Sequence, residues 1–194
     1  MKDDIAGYDF GALHVGRSPV TLSELDELQR TLGWTSEDER WLAQAAPVLT
    51  HHAQDLVNTW RAQIGKMPFL SRWFGEPGEA TDSYRAAVKK RFVQWIIDTC
   101  TRPRDQAWLD YAEEIGLRHT PRKKNTTDAA QGPSLVPLRY VIAFAWPVLS
   151  AVRPLLAAEG IPAADVDAME AAWSKAVLLQ IALWSRAFVH EGWW

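Results

Sequence analysis

The segment DQAWLDYAEEIGLRH, running from Asp105 to His119, decides how this chain is read. It has the pattern of an amphipathic helix with His119 on its last turn, stopped at once by Thr120-Pro121 and followed by a basic loop, Arg122-Lys123-Lys124-Asn125. A histidine so placed can turn one ring nitrogen toward a metal while a terminal carbonyl, unpaired within the helix, holds the other. The competing reading is plainer. Imidazolium complements the negative end of a helix dipole, and most lone histidines there do no chemistry. Position leaves both readings open, so the companions of His119 must decide.

Composition narrows the field. The 194 residues fit one domain, and 47% hydrophobic with 23% charged residues is ordinary globular composition, enough to enclose a buried site. A formal net charge of -3 gives no field that would gather nucleic acid or an anionic membrane, so the basic run from Arg122 to Lys124 reads as a solvated loop. The single cysteine, Cys100, excludes an internal disulfide and any Cys-x-x-Cys motif, and is expected to be a small buried hydrophobe. The start, Met1 to Gly7, is acidic and lacks the apolar core of a secretory signal. The longest apolar stretch, Leu135 to Val152, carries Pro137, Arg139 and Pro147 and falls short of an uninterrupted span of about 20 residues. A soluble, cytoplasmic protein is expected.

Periodicity predicts helices almost throughout. Residues 1–20, with Gly7, Gly11, Gly16 and Pro19, read as an irregular leader that Tyr8 and Phe10 can anchor to the body, taken as residues 21–194. Thr21 or Ser23 caps a helix bearing Leu22, Leu25, Leu28 and Leu32, and Thr35 to Asp38 opens another, with Pro47 as a kink or break. Further helices are predicted over 51–64, 82–100 and 105–119, with a short turn over 68–74. Gly75-Glu76-Pro77-Gly78 is a loop rather than a phosphate cradle, because no Gly-Lys-Ser/Thr follows. Two long apolar helices, 136–158 and 162–190, complete an all-α chain of about eight helices.

Other chemistry is thin. His51 and His52 project about 100° apart on a helix and cannot chelate as residues four apart would. Glu113-Glu114 reads as a solvated helix face. Tryptophan outnumbers phenylalanine 11 to 6, and Trp60, Trp95, Trp108, Trp146, Trp173 and Trp184 all fall on predicted helices, where they either fill a core or wall a pocket for a planar cofactor.

Several blocks taken together are more specific. The runs Arg91 to Cys100, Asp105 to Tyr111, Gly116 to His119 and Lys123 to Asp128 resemble the protoglobins, as do Arg139-Tyr140, Ala143-Phe144, Pro147, Gln180 to Ser185 and the leader's Gly7 to Gly11. The blocks match in order and cover nearly the whole chain. The resemblance implies a globin fold with an N-terminal extension and an extra leading helix. It also implies haem b (iron protoporphyrin IX), with His119 as proximal metal ligand and the opposite iron face available. Trp60 and Phe92 are then distal-pocket residues, Phe144 and Val148 further haem-wall candidates, and Arg91 a partner for a haem propionate. The Nδ1 proton of His119 is expected on a main-chain carbonyl one turn earlier, that of Ile115.

One position departs from the family pattern. Where protoglobins usually carry tyrosine after the distal tryptophan, this chain has Arg61, so that position supplies no phenol hydrogen bond to a bound gas. Arginine is permanently cationic and costly to bury alone, so it turns toward solvent or a propionate, or donates to an anionic ligand such as nitrite or azide. The function expected from the resemblance is binding of oxygen, carbon monoxide or nitric oxide, as a gas binder, sensor or scavenger. A second class is haem catalysis, either on reactive nitrogen species or as a scaffold for engineered carbene transfer. A third, an all-α interaction protein without cofactor, would be colourless when made with ample haem. The family also suggests a homodimer through the two C-terminal helices.

Overall fold

In the computed structural model of the chain, residues 5–74, 82–190, 192 and 194 are described, and the loop expected at Gly75 to Gly78 lies outside them. Nine α-helices and one terminal 3-10 turn account for the regular structure among those residues, and no strand occurs there. The all-α, globin-like expectation holds.

Local sequence explains where most helices begin. Helix α1, Leu22–Thr31, opens on a capping box in which the Glu24 amide donates to the Thr21 hydroxyl (3.2 Å) and the Thr21 amide to the Glu24 carboxylate (2.7 Å). Helix α2, Ser36–Gly65, begins in the same way, the Thr35 amide donating to Asp38 at 2.7 Å. Helix α3 is the single turn Pro68–Ser71, and α4 spans Asp82–Thr101. Asp105 caps α5, Gln106–Leu117, accepting from the Trp108 amide at 2.9 Å.

The prolines behave differently from one another. Of the kink or break expected at Pro47, the break is absent: α2 runs through it for 30 residues. Its inward face, with Leu42, Ala45, Leu49 and Ala53 almost wholly buried, keeps the helix continuous despite the lost hydrogen bond. The single helix expected over 136–158 is instead three, α6 Leu138–Ala143, α7 Ala145–Ser150 and α8 Val152–Ala158. Each interruption follows the residue four before a proline, Ala143 before Pro147 and Ser150 before Pro154, where the ring clashes with the carbonyl. The bends are shallow, with Phe144 at φ -72° and ψ -9°. Taken as one stretch, Leu138–Ala158 is long and apolar enough to cross a membrane by length and composition, its most apolar 18 residues having mean hydropathy 1.7 and 22% of them being buried. The last helix, α9, ends at Ser185 and continues as a 3-10 turn, Arg186–Phe188, rather than reaching residue 190 as an α-helix.

Helix α9 is the spine. Val166, Met169, Trp173 and Val177 join α2, α4, α7 and α8 in the main core, whereas Leu179 and Leu183 pack with Leu25, Trp108 and Leu109 from α1 and α5 in a second. A fully buried side chain of this size contributes roughly 1.5–3 kcal/mol, so burial on both sides explains why α9 shows no polar stripe. The position of α5 beside α9 places His119.

The pair Glu113-Glu114 is not a solvated face. Both are buried, Glu113 against Arg186 (3.1 Å) and Glu114 against Arg118 (2.9 Å) and Lys123 (2.5 Å). These ion pairs form because α5 is enclosed by the leader, α9 and the loop after His119, which spacing within α5 does not reveal.

Candidate functional site

His119 sits one residue beyond the cap of α5, in a tightened turn in which its amide donates to the Gly116 carbonyl at 3.1 Å. Its Nδ1 lies 2.8 Å from the Ile115 carbonyl, the bond expected from helix geometry. A carbonyl only accepts, so Nδ1 carries the proton and Nε2 keeps a lone pair. Burial holds the imidazole below the ordinary histidine pKa, opposed by the Ile115 bond and reinforced by the nearby Lys124 ammonium. The ring is therefore neutral at pH 7, the form a metal needs. It lies nearly parallel to the Trp184 indole, 5.9 Å between centroids. The His119 carbonyl accepts from the Val136 amide at 2.8 Å, which ties down the far end of the loop that follows.

This ring borders a cavity of about 260 Å³. The volume exceeds the roughly 150 Å³ that holds a benzene in an apolar protein interior. Phe92, Phe144, Val148, Trp95, Ile181 and Trp184 give it largely apolar walls. Of the residues singled out in the sequence, Arg61, Arg91, Phe92, His119, Phe144 and Val148 all line it. Trp60 does not: it is 1% exposed, packs behind Phe92 at 5.0 Å between ring centroids, and donates its indole N–H to the Pro147 carbonyl at 3.2 Å. It holds the wall in place without forming its surface. Trp146, grouped with the candidate pocket tryptophans, is 72% exposed on α7.

The leader closes one side. Tyr8 and Phe10 line the cavity and stand edge-on to Tyr111, each at 5.5 Å, and the Tyr8 hydroxyl donates to Asp98 at 2.6 Å. Arg118 donates to the Gly7 carbonyl (2.5 Å) and to Asp9 (2.6 Å), and Arg91 to the Ala6 carbonyl (2.7 Å). Gly7 adopts φ +71°, a conformation that favours glycine, and packs against the Arg91 and Thr127 side chains.

Four cations reach the cavity, and they divide into two kinds. Arg118 is paired with Asp9 and Glu114, and Arg91 forms a two-pronged pair with Asp128 at 2.9 and 2.6 Å. Arg61, half-buried on α2, and Lys124, only 9% exposed, have no hydrogen-bond or ion-pair partner for their side chains among the described residues. Burial lowers the pKa of both. The indole N–H groups of Trp73 and Trp184, two more lining residues, are also buried without acceptors. The walls thus hold donors in excess of acceptors, which suits a large flat apolar ligand bearing anionic groups.

That surplus fits a haem: the apolar walls match a macrocycle, the neutral Nε2 could bind its iron, and the unpaired cations could meet its carboxylates. Among the described residues no group of three or more His, Cys, Asp or Glu could hold a metal ion, so a metal at His119 would bring its other ligands with it. The sequence reading missed Lys124, which belongs to a basic run taken as solvated; only Arg122 and Pro121 at the start of that loop are exposed, whereas Lys123 turns back to Glu114 and Lys124 into the cavity. No local signal separates these neighbouring lysines. His51 and His52 stay apart from the site, His52 lying 3.7 Å from Glu159, and Cys100 is buried with its thiol pKa pushed up to about 12 by desolvation.

The family model described as Protoglobin matches residues 21–194 of the chain. A search of curated proteins gave no match.

Proposed function

The chain belongs to the protoglobin family, whose globin-type members bind gases at haem, and from that premise we propose that it holds haem b in the His119 cavity and reversibly binds oxygen, carbon monoxide or nitric oxide. The observation that supports this best is the neutral imidazole, its Nδ1 proton committed to Ile115, at the edge of a largely apolar cavity onto which the donors of Arg61, Lys124, Trp73 and Trp184 come without acceptors among the described residues. A haem held at His119 would supply an iron able to bind a small gaseous ligand.

The chain's own residues do the rest. His119 offers Nε2, the Ile115 carbonyl sets its tautomer and ring plane, and Trp184 limits its rotation. Phe92, Phe144 and Val148 would keep water from the cavity, with Trp60 bracing Phe92 from behind. In this reading Arg61 is the one cationic donor that α2 contributes to the cavity.

Arg61 also favours a second reading. A guanidinium with no acidic partner among the described residues would select anionic ligands, so nitrite or peroxynitrite chemistry is the alternative to simple gas binding. We place the protein in the cytosol, in keeping with its lone buried Cys100. We also propose a homodimer through the C-terminal helices, supported by exposed Ile142 (52%) and Trp146 (72%) on α6 and α7 and Leu178 (43%) on α9. The deciding experiment is the visible absorption spectrum of the chain produced with ample haem, beside His119→Ala. A haem band that collapses or changes coordination in the variant supports the proposal; a colourless folded wild type ends it. Comparing nitrite turnover with carbon monoxide affinity then separates catalyst from carrier.

A further inference from the structure

We propose that Lys124 anchors a carboxylate of the cofactor in the His119 cavity, the role that the family resemblance assigns to Arg91. The inference rests on the haem reading and deepens it.

Arg91 is already engaged. One terminal nitrogen donates to the Ala6 carbonyl (2.7 Å) and to Asp128 (2.9 Å), and the other to the second Asp128 oxygen (2.6 Å). A ligand carboxylate beside it would meet a charge already neutralised and a second carboxylate that repels it. Arg118 is likewise taken, by Asp9, Glu114 and the Gly7 carbonyl.

Lys124 is in the opposite state. Its amide donates to the Thr120 carbonyl at 3.0 Å, which fixes the backbone in the turn after His119, and its side chain lines the cavity at 9% exposure. An ammonium carries three donors, and among the described residues none finds an acceptor. Lys123 next to it shows the ordinary outcome, a 2.5 Å pair with Glu114. A buried, unpaired cation destabilises a fold unless an anion arrives to offset the cost of desolvation. The two acids that line the cavity are already taken, Asp128 by Arg91 and Asp98 by Tyr8, Gln94 and Arg102, so the anion for Lys124 belongs to the ligand. A carboxylate is the anionic group that an apolar tetrapyrrole carries.

The test uses the full-length protein as wild type, Lys124→Met, Lys124→Gln and Lys124→Arg, each loaded with haem or with haem dimethyl ester, whose carboxylates are capped. Cofactor loss to an excess of a haem-scavenging apoprotein is timed, and each cofactor-free chain is melted. We expect Lys124→Met and Lys124→Gln to release haem about tenfold faster than wild type, equivalent to about 1.4 kcal/mol, with Lys124→Arg close to wild type. The dimethyl ester should leave wild type and Lys124→Met at equal rates. Cofactor-free Lys124→Met should melt no lower than wild type, because it removes an unpaired charge. Equal haem release from Lys124→Met and wild type, or faster loss of ester and acid alike, overturns the proposal. Failure of wild type to take up either cofactor instead sinks the haem reading itself.

Discussion

The imidazole of His119 and the indole of Trp184 lie almost parallel, 21° between planes, because α5 and α9 approach closely at Gly116. A Cβ on Gly116 would stand 3.1 Å from Trp184 Cα and 3.2 Å from its carbonyl oxygen, both backbone atoms that cannot swing aside. The glycine, three residues before the histidine, therefore controls how the ring meets its neighbour.

Gly116→Ala should destabilise the protein by about 1–3 kcal/mol, the usual cost of overpacking, even though alanine favours a helix by about 1 kcal/mol over glycine. Denaturant midpoints measure the loss, and the haem absorption band should shift with the histidine. A neutral or stabilising result would show that α9 can yield without cost.

Asp128→Asn breaks the pair with Arg91, whose side chains are 14% and 11% exposed. Removing one partner of a fully buried pair costs about 3–5 kcal/mol, and partial exposure should reduce this to roughly 2 kcal/mol. The same guanidinium holds the Ala6 carbonyl, so limited proteolysis should cut the leader sooner in the variant. Unchanged cleavage would mean that Tyr8 and Arg118 secure the leader without Arg91.

Acid should weaken the cofactor-free protein through His119. Its folded pKa lies below the ordinary value, so the unfolded chain binds the proton first, near pH 6.5, and stability falls as pH drops through that value. Denaturation at pH 7.5 and pH 5.5 should show a steeper decline for wild type than for His119→Gln. Parallel declines would assign the acid sensitivity to other groups.

Arg61→Tyr should weaken azide binding to the ferric protein by about tenfold, the order expected for loss of one charge-assisted hydrogen bond. Carbon monoxide affinity, which needs no anion partner, should change less. Unchanged azide binding would rule out an anion-stabilising arginine.

Trp146→Arg should convert a dimer into a monomer in sedimentation at micromolar concentration, because it places a charge on an exposed apolar face of α7. A wild-type chain that sediments as a monomer removes the dimer proposal.

Much of the fold was legible because its signals are local. The boxes at Thr21 and Thr35 and the bond from His119 to Ile115 each join residues three or four apart, within reach of helix geometry alone. The prolines mark where local signals fail. Pro47 leaves α2 intact because its helix is buried along one face, whereas Pro147 and Pro154 interrupt a stretch whose most apolar 18 residues are only 22% buried, with less packing to keep it continuous.

The sequence by itself determined the all-α class, most helix starts, the lone well-placed histidine and the family. Tertiary structure alone decided the charges: that Arg91 spends itself on Asp128, 37 residues away, that Glu113 and Glu114 are enclosed, and that of two adjacent lysines only Lys124 reaches the cavity unpaired. Helix formation depends on neighbours along the chain. The state of a buried charge depends on which distant group the fold brings within about 4 Å of it, and no pattern in the sequence encodes that distance.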